Sequence, residues 1–381
     1  MNVGILYPRS KVHPGITQDF MDGIKAYTGL QETGITFISE SIGYGGSEKE
    51  VYEKAEKLLL IEDVDMLVAF IGEKVLEILH PLLQSSGKLL LVVHPGANYP
   101  YSWIPQPNII QLTLQDAFLC WLCGQDAGKE AGDRAVMAST FYDCGYLHLA
   151  TMVKGYTDSG GNIVFNYVNN QPYKDGFHID EMESFLAANP GRQNVLAVFD
   201  ELPASLFYNK LNSTDVAGEL NLYVSPMMLQ QAALVNSGSG LQFPVSGYTP
   251  WLPGAEAGNT KIFCDAFRVK TKRDPGLFSL LGWETGMILK QISGTISSGF
   301  GDGAGIAGAL QKITFNGPRG ELRLDPATNY FTSPFVRCHV PHNAGQITTA
   351  VHAFPADAWA AYIQLPTDGS GSGWTNTYLC Y

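Results

Sequence analysis

The chain predicts an α/β protein built as two doubly wound, Rossmann-like lobes, an expectation that three observations carry. Short apolar, strand-like runs alternate with helical patterns over the first 250 residues. There are more such runs than one small doubly wound sheet usually holds, whereas two sheets share them evenly. The 381 residues are enough for two domains, each with its own core.

In chain order, strands are expected near 2–7, 34–39, 66–71, 88–93 and 109–113, then near 135–139, 162–168, 195–199, 221–225 and 243–248. The intervening helices fall near 15–27, 48–61, 73–84, 115–131, 146–158, 178–188, 201–211 and 227–235. The helix at 48–61 is the clearest. Ser47 and Glu50 have capping-box spacing, and Val51, Ala55, Leu58 and Leu59 form its apolar stripe. The stretches 1–110 and 112–248 repeat the same order of elements, without a residue-level repeat. Beyond 250 the pattern changes to two successive helices, about 256–272 and 276–294. They break at Arg273-Asp274-Pro275-Gly276, where the residue before proline leaves helical geometry. A Gly-rich stretch, a short helix near 304–311 and several strands follow.

Composition narrows the function. The chain carries 24 Lys+Arg against 36 Asp+Glu, a net charge of −12, with no basic stripe, which argues against nucleic acid. Hydrophobic residues make up 45% and charged residues only 16%, the balance of a well-buried chain. No apolar run is long enough to span a bilayer. Met1 to Tyr7 reads directly as a buried strand, so either the protein is cytosolic or a leader is absent from this chain. Cys120-Trp-Leu-Cys123 has redox spacing but lies in an apolar helical run, which reads as core packing. Cys338 and Cys380 bracket a Gly/Ser-rich tail that a disulfide would staple in an oxidising compartment. Gly303-Ala304-Gly305-Ile306-Ala307-Gly308 matches a dinucleotide fingerprint but does not follow a buried strand, so no nucleotide site is expected. His339-Val340-Pro341-His342 is a weak metal pattern, and neither metal nor cofactor is expected.

Four segments carry a family resemblance. They are Val3 to Ser10; Asp65 to Gly72 with Leu89 to Pro95; Phe263 to Phe267 with Asp274-Pro275 and Leu281 to Gly286; and Ile313 to Asp325, with its Gly317-Pro318-Arg319-Gly320 turn between two strands. In this order and spacing the chain resembles the type I periplasmic binding proteins, specifically the branched-chain amino acid (Leu/Ile/Val-binding-like) solute receptors of ABC transporters. The resemblance implies lobes assembled from discontinuous segments, 1–112 with 250–334 and 113–249 with 335–381, joined by a three-stranded hinge that closes over a solute.

Ligands of open parallel sheets bind beyond the carboxyl ends of the strands. That rule selects Arg9, Ser10, Gly72, Glu73, His94, Gly96, Ala97 and Asn98 in lobe one, and Tyr142, Tyr146, Asp200, Glu201 and Ser225 in lobe two. Glu73 and Asn98 stand where the family usually has hydroxyl residues, a departure that points away from an ordinary aliphatic amino acid. Asn98 can donate, and Gly96 permits close backbone approach. Arg9 suits an anionic ligand group or a solvated surface position. The resemblance puts Tyr142 and Tyr146 on an aromatic wall, and Asp200 or Glu201 at a ligand's ammonium end. Packing on its own lobe competes for Tyr146, and helix capping competes for Glu73, Asp200 and Glu201.

The expected function is an extracytoplasmic solute-binding receptor, without catalytic activity, that passes an amino acid or related small polar or amphipathic solute to a membrane permease. Its expected place is periplasmic or extracellular, lipid-anchored or free. A cytosolic ligand sensor on the same fold is the alternative. A hydrolase or dehydrogenase, with His94, Asp143, Cys144 and Asp200 converging in one cleft, is a further one.

Overall fold

The computed structural model describes residues 1–11, 13–30, 34–45, 47–96, 100, 102–130, 133–140, 145–169, 176–230, 232, 240–252, 258–297, 302–343 and 347–365. Its elements run β1 (Asn2–Tyr7), α1 (Ile16–Thr28), β2 (Thr36–Ser41), α2 (Glu48–Glu56), β3 (Met66–Ala69), α3 (Glu73–Ser86), β4 (Leu89–His94) and β5 (Ile109–Thr113). Then follow α4 (Asp116–Glu130), β6 (Arg134–Thr140), α5 (Gly145–Asp158), β7 (Asn162–Asn169), α6 (Asp180–Ala188), β8 (Gln193–Val198), α7 (Glu201–Asn212), β9 (Leu220–Val224) and β10 (Val245–Thr249). The last are α8 (Gly258–Thr271), α9 (Leu277–Ser297), α10 (Gly303–Leu310), β11 (Thr314–Gly317), β12 (Gly320–Leu324), β13 (Tyr330–Thr332), β14 (Phe335–Val340), β15 (Thr348–His352) and α11 (Ala356–Tyr362).

The chain divides into two compact units. Met1–Leu114 joins the stretch that ends at Pro334, and Gln115–Leu252 joins the stretch that starts at Phe335. The first unit holds an eight-stranded sheet ordered β11-β12-β13-β5-β4-β3-β1-β2, and the second a seven-stranded sheet ordered β15-β14-β10-β9-β8-β6-β7. Each contains a run of five parallel strands in which the first strand lies between the second and third: β2-β1-β3-β4-β5 in one, β7-β6-β8-β9-β10 in the other. The repeated order of elements is thus a repeated topology, and each unit is a doubly wound α/β lobe with added antiparallel strands.

The patterning accounts for the layers. Every residue of β4 is buried, as a parallel strand covered on both faces requires. One face of the first sheet buries Leu67, Leu90 and Val92 against Leu58, Leu79 and Leu83. In the second unit Phe199, Phe207, Tyr208 and Phe243 fill the corresponding layer. Cys120 and Cys123 lie buried within α4, where burial pushes both thiols up, as core residues and not as a redox pair. Cys338 is buried in β14 as a free thiol, and Cys380 lies outside the described residues.

The remaining faces are covered by helix pairs that meet through glycine. A Cβ at Gly23 of α1 would stand 2.2 Å from the Ser279 carbonyl oxygen of α9, and one at Gly282 would stand 2.0 Å from that of Phe20. In the second unit a Cβ at Gly124 of α4 would stand 2.0 Å from the Met152 oxygen, and one at Gly155 of α5 would stand 2.2 Å from that of Trp121. Backbones this close leave no room for a side chain.

Some elements depart from expectation. The helix expected to run unbroken through 48–61 ends as α2, and Lys57–Ile61 forms a wider π turn closed by Glu62 N–H donating to the Lys57 carbonyl. Ser47 accepts from the Glu50 N–H, the first half of the capping box. The strand expected through residue 71 stops at Ala69, and the helix expected from 256 is described from Gly258. Gly303 opens α10 packed against the Lys88 carbonyl, so this glycine serves the approach of α10 to the turn before β4.

Candidate functional site

In the first unit the order of strands reverses between β1 and β3, and the loops beyond their carboxyl ends flank that point. The loop after β1 carries Arg9 and Ser10. Ser10 Oγ accepts from the His13 N–H at 2.9 Å, and the Thr17 hydroxyl donates to the Pro8 carbonyl, so the loop is tied down at both ends. Arg9 is exposed, and with Tyr7, Ser10, Thr17, Asp22 and Lys25 it lines a groove of about 580 Å³. After β3, Gly72 in an extended conformation starts α3. Its carbonyl accepts from Leu76 N–H at 3.1 Å, while no side chain caps the helix at that position. Glu73 occupies the first turn, half-buried, where a carboxylate complements the helix dipole.

His94 ends β4 and is 1% exposed. Its Nδ1 accepts from the Gly96 N–H at 3.0 Å, which requires the proton to sit on Nε2, and Nε2 faces Gln111 Oε1 of β5 at 3.0 Å. Burial lowers the ring's pKa to about 4, so it is neutral at pH 7 and both nitrogens are occupied within its own unit. Gly96 has φ +103°, a left-handed backbone that favours glycine. Ala97 and Asn98 lie outside the described residues.

In the second unit the reversal falls between β6 and β8. The loop after β6, with Tyr142, Asp143 and Cys144, lies outside the described residues, and Tyr146 and Glu201 are described at the backbone only, each in the first turn of its helix. Asp200 is 1% exposed and stands just before α7, with its carbonyl accepting from Ala204 N–H at 2.7 Å. Ser225 follows β9. Its N–H donates to Ala197 and its carbonyl accepts from Leu229 N–H, so the adjacent ends of β8 and β9 carry Asp200 and Ser225. Ser225 is 3% exposed, and its hydroxyl has no hydrogen-bond partner among the described residues. His94 and Asp200 belong to different units.

A concavity of about 780 Å³ lies elsewhere, on the second sheet near the starts of β9 and β10, lined by Arg192, Ser246, Arg337 and His339 among others. It is not at the carboxyl ends of the parallel strands. The pairing of Ser246 Oγ with His339 Nδ1, at 2.9 Å, belongs to this face.

Sequence reading missed two features beside the first site. Arg319, in the Gly317-Pro318-Arg319-Gly320 turn, forms a buried fork with Glu284 of α9, Nε to Oε1 at 2.9 Å and Nη2 to Oε2 at 2.6 Å. Its Nη1 donates to the Thr113 carbonyl at the end of β5, 3.2 Å away. The signal was present: Glu284 is an acid inside an apolar helix and needs a buried counter-charge. Gln111, the partner of His94, carried no comparable signal.

The periplasmic binding protein family matches residues 1–342. No curated protein matches the sequence. Among solved structures, an ABC transporter substrate-binding protein from Sphaerobacter thermophilus has a TM-score of 0.73 at 16% identity, covering 93% of this chain and 98% of that one. A solute-binding protein of an ABC transporter from R. palustris, in complex with benzoate, has a TM-score of 0.68 at 18% identity, covering 93% and 96%. LivJ, a branched-chain amino acid transporter substrate-binding protein from Streptococcus pneumoniae in complex with isoleucine, has a TM-score of 0.64 at 12% identity, covering 93% and 99%. With a type I periplasmic binding protein fold and a family match over most of its length, this chain belongs to the periplasmic binding protein family.

Proposed function

We propose that this protein is the extracytoplasmic receptor of an ABC transporter. It captures a small carboxylate with an apolar body between its two lobes, changes nothing in it, and delivers it to a membrane permease. In this reading the chain passes from one lobe to the other three times, near 112, 249 and 334, and these crossings act as the hinge. Benzoate and isoleucine, bound by two structural relatives, share a carboxylate on an apolar frame, so the ligand class proposed is aromatic or aliphatic carboxylates.

The observation that carries the reading is Ser225. A hydroxyl buried at the carboxyl end of a parallel strand, one strand from the reversal point and without a partner among the described residues, is supplied with one by a ligand oxygen. On the first lobe the start of α3 after Gly72 offers the positive end of a helix dipole, and Arg9 offers a cation, for the same carboxylate. Gly96 with Ala97 and Asn98 forms the second donor loop, Tyr142 and Tyr146 the apolar wall, and Asp200 or Glu201 meets an ammonium where the ligand has one.

Calorimetric titration with benzoate, 4-hydroxybenzoate, leucine and isoleucine, each beside its amide, tests the class. The carboxylates bind at least about tenfold more tightly than their amides, since a hydrogen bond to a charged group is the stronger kind. Ser225→Ala weakens the carboxylates about tenfold and leaves the thermal midpoint of the free protein in place. Equal affinity for acid and amide overturns the reading.

A further inference from the structure

We infer that Gln111 is a positioning residue for solute capture: through His94 it holds the backbone N–H of Gly96 in a fixed orientation at the mouth of the first lobe. The inference rests on the proposed receptor function for its consequence, but its geometry stands apart from any ligand.

Three groups form a relay with one permitted direction. The Gly96 N–H can only donate, so His94 Nδ1 at 3.0 Å must be the unprotonated nitrogen. A neutral ring then carries its proton on Nε2, and that proton needs an acceptor, which Gln111 Oε1 supplies at 3.0 Å. The His94–Gln111 end is sealed, His94 being 1% exposed and Gln111 6% exposed, so water does not compete there, while the Gly96 end is part-buried. The Tyr330 ring stands edge-on to His94 at 6.3 Å and limits its rotation. Gln111 is itself fixed from behind, its N–H donating to the Asn329 carbonyl at 2.9 Å. Asn329, at φ +58°, donates its side-chain amide to the carbonyls of Gln106 and Ile109.

Gly96 is where this rigidity matters. Its φ of +103° is a conformation that a flexible glycine leaves readily, so an unheld Gly96 samples many directions. A preformed N–H spares the ligand that ordering cost, which is the value of a buried side chain on the strand next to β4.

The test is nitrogen-detected NMR of the histidine rings in the full-length protein, with amide exchange at Gly96, on wild type and on Gln111→Met, which keeps volume and removes the acceptor. Wild type shows His94 as the Nε2–H tautomer. Gln111→Met loses that tautomer, exchanges the Gly96 amide about tenfold faster, and binds benzoate or isoleucine about tenfold more weakly. An Nδ1–H tautomer in wild type, or an unchanged Gly96 amide in Gln111→Met, overturns the inference, and the wild-type spectrum decides even if the variant does not fold. Faster exchange with undiminished affinity overturns the role in capture. A wild type that binds no carboxylate, with the tautomer as stated, refutes the receptor reading and not the relay.

Discussion

His94 is held at both ring nitrogens, by the Gly96 N–H two residues on and by Gln111 Oε1 of the neighbouring strand. Burial drives its pKa to about 4, below the value of about 6.5 expected when unfolded. The unfolded chain therefore takes up a proton that the folded chain refuses, and stability rises with pH between those values. The contribution is complete above about pH 6.5 and is lost as pH falls to about 4, a change on the order of 3 kcal/mol. Thermal midpoints measured across that window fall more steeply in wild type than in His94→Gln, and parallel curves contradict the assignment. Sequence reading placed His94 at a strand end, because Leu89 to Val93 announce a buried strand that stops there. It did not find Gln111, since a single glutamine in an apolar strand says nothing of which residue of the next strand it faces.

At the scale of elements, the helix pairs depend on glycines whose value differs along one helix. Gly282 and Gly294 both lie on α9. A Cβ at Gly282 meets the Phe20 carbonyl at 2.0 Å, whereas one at Gly294 meets nothing within 4 Å. Gly282→Ala therefore destabilises by about 3 kcal/mol, because α1 and α9 must separate. Gly294→Ala stabilises by about 0.5–1 kcal/mol, because only helix propensity changes. Chemical denaturation of the two variants checks the opposite signs, and equal effects contradict the close packing. The elements themselves were readable from apolar periodicity, which is a local property. The π turn at Lys57–Ile61 was not, because it depends on how Leu58 and Leu59 both reach the core while Leu60 and Ile61 remain exposed.

At the scale of the whole molecule, the chain leaves the first lobe just after β5, and the Thr113 carbonyl at that exit is held by Arg319, itself forked to Glu284. Removing one member of a buried ion pair strands the other charge, so Arg319→Met costs about 3–5 kcal/mol. Adding Glu284→Gln recovers part of that loss, and a double variant no more stable than the single one contradicts a buried charge as the cause. Two lobes were legible from the repeated order of strands and helices, whereas this clamp joins residues 35 and 206 positions apart and no local pattern encodes it. The same limit applies to the candidate site, whose residues come from loops after separate strands. Strand ends indicated which loops to consider, and Ser225 was among them. That its hydroxyl is buried and unsatisfied among the described residues emerged only when β8 and β9 were seen side by side.

Equilibrium dialysis against isotopically labelled benzoate and isoleucine, with mass spectrometry of the ligand released on denaturation, tests the receptor account most directly. The account predicts saturable binding of one carboxylate per chain and recovery of that molecule unaltered. Failure of both to bind saturably, or recovery of a chemically changed product, contradicts it.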